Sequence, residues 1–248
     1  MSPATSIVLD LLRFALAAVV VLGHLTVSSI QQGWPELKPL AIVAVGGFFT
    51  LSGYIIRMIT LDVRDTAGVR KYFADRAARL LSITWPALVV TAACNAISSH
   101  AAPEFFGRLW WEGADHQVLR YALNAVLYTQ PYGLDLSPQA NTPLWSLGYE
   151  AGFYVFWGFM LDAKVHGRGP LLTVLALVIY GPHVALMFPC WLLGVLLYDQ
   201  MARATERSAL FRLATLGAAG TLASLIVLAL FGASLASLWQ DIVLDGLG

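Results

Sequence analysis

The chain has 248 residues, of which 58% are hydrophobic and 12% charged, and its formal net charge is zero. Soluble domains average about a quarter charged residues, so this composition, with a mean hydropathy of +0.69, excludes an ordinary soluble domain and describes an integral membrane protein. A neutral chain without a Walker-type glycine loop offers no basis for a nucleic-acid partner, and Cys94 and Cys190 fit neither a metal spacing nor a disulfide framework.

The apolar runs are helix-length, unlike the short alternating segments of an outer-membrane barrel. The expected fold is an all-α, polytopic membrane helix bundle of about seven transmembrane helices, at 6–29, 39–60, 79–99, 143–162, 170–187, 188–201 and 209–232. The fifth and sixth are short and meet at Phe188-Pro189. An interfacial helix is expected in the 100–141 loop, over Gln117 to Tyr128. In the same loop Phe105, Phe106, Trp110 and Trp111 suit the membrane–water boundary. Both cysteines fall in apolar runs and read as packed thiols. The whole of 1–248 reads as a single membrane domain, with its motif blocks in 9–160 and a shorter helical part in 161–248.

The amino terminus lacks the positive region of a signal peptide and carries Asp10 and Arg13 at the start of its apolar run, so it reads as retained. Lys and Arg set the orientation. Eleven lie in the loops after spans two, four and six or beside them, and three (Lys38, Arg108, Arg120) lie on the opposite side. The positive-inside rule then places the amino terminus in the cytoplasm. The expected location is the inner membrane, multi-pass, with lipid as the surrounding partner.

Span one holds Arg13 and His24. Eleven residues make almost three helical turns, so the two side chains share one stripe, about 16 Å apart along the axis. A charge inside a bilayer wants a cavity or a partner, which points to a polar path. The structural alternative pairs Arg13 with Asp10 and packs His24 in the core. Span two has Gly46, Thr50 and Gly53 on a small-residue face where a helix or a ligand can approach the backbone. Ser52 and Tyr54 add hydroxyls. Before span three come Arg70, Lys71, Arg76 and Arg79, a topology signal, an anionic-lipid contact or a phosphate-binding group. Span four opens with Thr142 as a cap and Pro143 in the first turn. Ser146, Glu150 and Tyr154 then recur every four residues. No Lys or Arg is near Glu150 in sequence, so His24 is its natural partner, an arrangement suited to general-base catalysis.

These segments, in order, resemble the acyltransferase 3 family. The blocks are LDLLRFALAAVVVLGH, FFTLSGYIIR, YFADRAARLLSITWP and NTPLWSLGYEAGFYVFWG, with a weaker echo in FPCWLLGVLLYDQ. Two departures stand out: Gly46 and Gly47 lie where many members have an Asp before the Phe-Phe pair, and the chain is shorter than most members at its carboxyl end. The resemblance implies transfer of an acyl group, commonly acetyl, from cytoplasmic acyl-CoA to a hydroxyl of an extracytoplasmic glycan or similar acceptor. Acetyl-CoA is then the donor substrate, with no bound cofactor. Arg13 and His24 match the family's Arg-His pair, Ser52 its Ser-Gly element and Glu150 its Trp-Ser-Leu…Glu element.

The mechanism expected from residues and resemblance together has His24 as general base, assisted by Glu150, with Arg13 on the same stripe. Arg70, Lys71, Arg76, Arg79, Gly46 and Gly53 are assigned to acyl-CoA, and Ser52, Tyr54, Asn141, Trp145 and Ser146 to the oxyanion or the substrate. The alternatives are an inactive, truncated relative acting as a binding or assembly partner, and a transporter. The latter requires inverted repeats and helices broken in matching halves.

Overall fold

The computed structural model describes residues 3–26, 37–104, 106, 116–167 and 169–202. Among them no strand occurs. The helices are α1 (Pro3–Leu25), α2 (Lys38–Ile59), α3 (Thr66–Ala101), α4 (Gln117–Ala125), α5 (Trp145–His166) and α6 (Gly169–Met201). By length and composition four of these helices can cross a membrane: α1 over Ser6–Leu25, α2 over Pro39–Ile59, α3, and α6 over Leu171–Met201. α5 has 22 residues but carries Glu150, Asp162 and Lys164, and is not one of the four. The seventh expected span, 209–232, lies outside the described residues, as do Phe105, Trp110 and Trp111.

α3 is 36 residues long, about 54 Å at 1.5 Å per residue, and so outruns a hydrocarbon core of about 30 Å. The expected third span is its second half, which leaves the basic first turns beyond the apolar stretch. Its start is fixed by Asp65, whose carboxylate accepts from the Gly68 amide at 2.7 Å, one of the donors a helix leaves without an internal partner. Cys190 is buried as expected, whereas Cys94 is exposed on α3.

Two boundaries differ from expectation. Thr142 does not cap α5: a 3-10 turn, Thr142–Leu144, intervenes, so Leu144 takes the cap position and no side chain caps it. The threonine stands one short turn too early. Second, the chain is not broken at Phe188-Pro189. It runs helically through Pro189 and is interrupted at Gly181, with φ 78 and ψ 174. Glycine tolerates that backbone, and Pro182 has no N–H for the carbonyl of Val178. The freed acceptors are met from the loop after α4: the Tyr132 hydroxyl donates to Val178 O, and that of Tyr128 to Ile179 O at 2.8 Å.

Contacts divide the chain into two compact units, Met1–Leu61 with Met187–Gly248, and Asp62–Leu186. In the first, α1 and α2 are antiparallel, with Gly23 against Leu37 and Ala41, and Gly47 against Leu16. α2 and the second arm of α6 run parallel. Thr50 Oγ1 donates to Cys190 O at 3.1 Å, the Tyr54 and Tyr198 rings meet edge to face, and Arg57 Nε donates to Asp199 Oδ1 at 2.8 Å. A Cβ on Gly53 would sit 2.0 Å from Trp191 O, and one on Gly194 1.8 Å from Thr50 O. Only glycine permits this backbone approach.

In the second unit α3 and α5 are antiparallel. Thr66 meets His166, Phe73 packs on Gly158 and Phe159, and the Tyr72 hydroxyl donates to Tyr154 O at 3.1 Å. α5 is buried around most of its girth, Phe153 completely.

Candidate functional site

α1 is helical without a break from Pro3 to Leu25, so Arg13 and His24 do share a stripe. Arg13 Nη1 donates to Asp10 Oδ1 at 2.9 Å, one turn back along the same helix. This local ion pair is the structural alternative weighed for Arg13 above. His24 lies in the last turn of α1 and its side chain is exposed, so it is not a core histidine.

The small-residue face of α2 is occupied by the protein itself. Thr50 Oγ1 also donates to Gly46 O at 3.1 Å, and the surface at Gly53 is filled by Trp191. Ser52 Oγ accepts from Trp191 Nε1 at 3.3 Å, while Tyr54 packs on Tyr198. These residues weld α2 to α6. The hydroxyls of Thr50 and Ser52 are turned to backbone and indole partners, and Tyr54 packs its ring against Tyr198.

Glu150 sits in a polar cluster that sequence distance conceals. The Tyr154 hydroxyl, one turn on, donates to Glu150 Oε1, as the four-residue recurrence predicts. The cation expected to be missing comes from α3: the Arg76 guanidinium lies over the Tyr154 ring, 5.9 Å from its centroid. Both Arg76 and Glu150 are within electrostatic reach of the Tyr72 hydroxyl. The Arg76 Nε is buried and makes no hydrogen bond among the described residues. A carboxylate, two phenols and a guanidinium thus share the α3–α5 seam, in surroundings where charge–charge terms outweigh those in water.

Arg76 thereby leaves the basic group it was assigned to. At about 100° per residue, Val69, Tyr72 and Leu80 define the buried face of α3, and Arg76 falls in its middle. Arg70, Lys71 and Arg79 lie outside that face and are exposed. Lys71 Nζ is 2.9 Å from Asp75 Oδ2, four residues on, an exposed pair. Three accessible cations on the first turns of a long helix suit a phosphate or an anionic surface.

The segment after α4 is built around Asn124, which is fully buried. Its Nδ2 donates to Arg120 O at 2.8 Å and Leu136 O at 2.7 Å. Arg120 Nη1 donates to Asp135 O and Ser137 O. Asn141 Nδ2 reaches Thr91 Oγ1 at 2.6 Å, and Asn95 Nδ2 reaches Gln139 O at 2.7 Å. Asn141 is therefore a tie between this loop and α3. Ser146 Oγ donates back to Pro143 O at 3.1 Å. The carbonyl of Trp145 accepts from Thr129 Oγ1 at 3.2 Å, and its ring meets Tyr149. Burial pushes the Tyr128 phenol above its ordinary value, with the neighbouring Tyr132 adding to the shift, so Tyr128 stays a donor to the interrupted helix at neutral pH.

Sequence reasoning passed over Tyr72, Asn124, Tyr128 and Tyr132. Half a signal existed for the last two: Gly181-Pro182 inside an apolar run announces unmet carbonyls, but the tyrosines that meet them stand 51 and 46 positions away from their acceptors. Nothing local announces Tyr72, whose partner Tyr154 O lies on α5, or the reach of Asn124 beyond its own helix to Leu136 O.

A family model described as an acyltransferase domain matches residues 7–245. Neither a curated protein nor a solved structure matches the chain.

Proposed function

From its place in the acyltransferase 3 family, to which this chain belongs, we propose that the protein moves an acyl group, acetyl in the first instance, from cytoplasmic acyl-CoA to a hydroxyl of an extracytoplasmic glycan or similar acceptor. The protein is a multi-pass protein of the inner membrane with a cytoplasmic amino terminus, and about seven crossings are assigned to it: α1, α2, α3, α5, the two arms of α6 and the apolar run 209–232. The parallel course of α2 and the second arm supports that count, because the distribution of Lys and Arg runs both from outside to inside.

One observation carries the reading: the uninterrupted α1 holds a guanidinium and an exposed imidazole on a single stripe of an otherwise apolar helix. A neutral imidazole accepts a proton near neutral pH. In the reaction His24 takes the proton of the acceptor hydroxyl as its oxygen attacks the thioester carbonyl carbon. The carbon–sulfur bond breaks and the thiolate leaves as CoA. Glu150, held by Tyr154, is the carboxylate assigned to assist that proton transfer. The exposed Arg70, Lys71 and Arg79 hold the phosphates of the donor, while Arg76 serves the Glu150 cluster.

Membranes supplied with labelled acetyl-CoA test this. The change His24→Ala removes a general base and should lower label transfer by about 10²–10⁴-fold. Unchanged labelling overturns the assignment. Glu150→Gln should reduce turnover more than acyl-CoA binding, and a double variant no worse than His24→Ala alone would show that the two act as a unit.

A further inference from the structure

At the end of the second unit where α3 begins and α5 ends, three side chains outside the site described above form a chain of hydrogen bonds. Thr66 Oγ1 lies 2.9 Å from His166 Nε2. His166 Nδ1 lies 2.8 Å from Asp162 Oδ1. An ionised carboxylate only accepts, so Nδ1 of a neutral His166 carries the proton and Nε2 presents its lone pair to the threonine hydroxyl. The order hydroxyl, imidazole, carboxylate is that of an activated nucleophile.

The fold places each member. Asp162 and His166 are four residues apart in the last turns of α5, hence on one face. Gly167, at φ 72, ends the helix directly after the histidine, its amide donating to Ala163 O at 2.7 Å. Thr66 is the first residue of α3 and follows the Asp65 cap. Antiparallel packing therefore brings the positive end of one helix to the negative end of another. The first favours the negative charge that develops on an acyl carbonyl oxygen attacked by Thr66, the amides of Thr66 and Ala67 having no partner inside the helix while that of Gly68 is held by Asp65. The second favours an imidazolium at His166. Asp162 is largely covered while Thr66 is exposed, so the orienting acid is sheltered and the hydroxyl open to a reagent.

We propose that Thr66, His166 and Asp162 form a second acyl-accepting site, at which Thr66 takes an acyl group from an acyl thioester. Thr66 Oγ1 attacks the carbonyl carbon and its proton passes to His166 Nε2. The carbon–sulfur bond breaks, the sulfur leaves with the proton returned from Nε2, and the products are O-acyl-Thr66 and a free thiol. Asp162 holds the imidazole in the required tautomer and is a positioning residue. The step does not involve His24, so it stands or falls apart from the transfer proposed above.

The full chain in detergent is mixed with p-nitrophenyl acetate in one arm and acetyl-CoA in the other, then acid-quenched, and peptides are mapped by mass spectrometry while p-nitrophenol or thiol release is followed. The expected result is an acetyl ester on Thr66 together with release of p-nitrophenol or thiol. Thr66→Ser should keep both, and Thr66→Val should lose both. His166→Gln should slow them by about 10²-fold or more, and Asp162→Asn should slow them less and shift the pH profile of the rate. No ester and no release above that of Thr66→Val overturns the proposal. So does Thr66 ester formation at an unchanged rate in His166→Gln, with helix content by circular dichroism matching the parent. Reaction with the activated ester and none with acetyl-CoA overturns the thioester as donor.

Discussion

α1 and α5 each carry polar side chains at helical spacing in an apolar setting, yet they hold them differently. On α1 much of the surface is open, Phe14 and Leu11 included, and Arg13 finds its partner Asp10 on the same helix. On α5 ten residues are buried, and Glu150 and Tyr154 sit in a seam with Tyr72 and Arg76 from α3. An exposed helix satisfies a charge with its own neighbours or with whatever surrounds it. A covered helix requires another element to bring the partner. The imidazole on the open helix is exposed, while the carboxylate on the covered helix is held by the Tyr154 hydroxyl.

That contrast can be broken by experiment. The largest effect after His24→Ala is expected for Tyr154→Phe, which removes a hydrogen bond to a carboxylate worth about 1.5–3 kcal/mol. Turnover of labelled acetyl-CoA should fall by about ten- to a hundredfold, with helix content unchanged; unaltered turnover would show that the covered seam only packs. Next is Gly194→Val, which forces a side chain into the carbonyl of Thr50. Thermal unfolding in detergent should report a loss of about 1–3 kcal/mol or more. Tyr132→Phe leaves Val178 O without its donor and should cost about 1 kcal/mol or slightly more by the same assay. The smallest effect is expected for Asp10→Asn. An exposed pair within one helix contributes less than about 1 kcal/mol, so a large loss there would show that α1 is covered in the membrane.

How much was legible beforehand varies with the range of the interaction. The positions of α1 and α2 follow from apolar run length, and the Tyr154–Glu150 bond follows from spacing along one helix. The Arg13–Asp10 pair was likewise visible as a three-residue step. The interruption of α6 was misplaced because two prolines compete: Pro189 looks the stronger breaker at a short junction, but the helix absorbs it, and the Gly181-Pro182 pair is where donors from another segment wait. The cap of α5 was misplaced because a short 3-10 turn shifts the register by one step. Gly53 was open to a ligand or a helix by composition, and Trp191, almost 140 positions away, settles it.

The sequence by itself determined that this chain is helical, apolar enough for a membrane and a member of an acyltransferase family, because those properties reside in composition, period and ordered local blocks. Only the tertiary structure decided which polar groups meet: Arg76 with Tyr154, Thr50 with Cys190, Thr66 with His166. The reason is that a hydrogen bond or a charge contact depends on a few ångströms between side chains that chain order leaves far apart, and packing alone closes that distance.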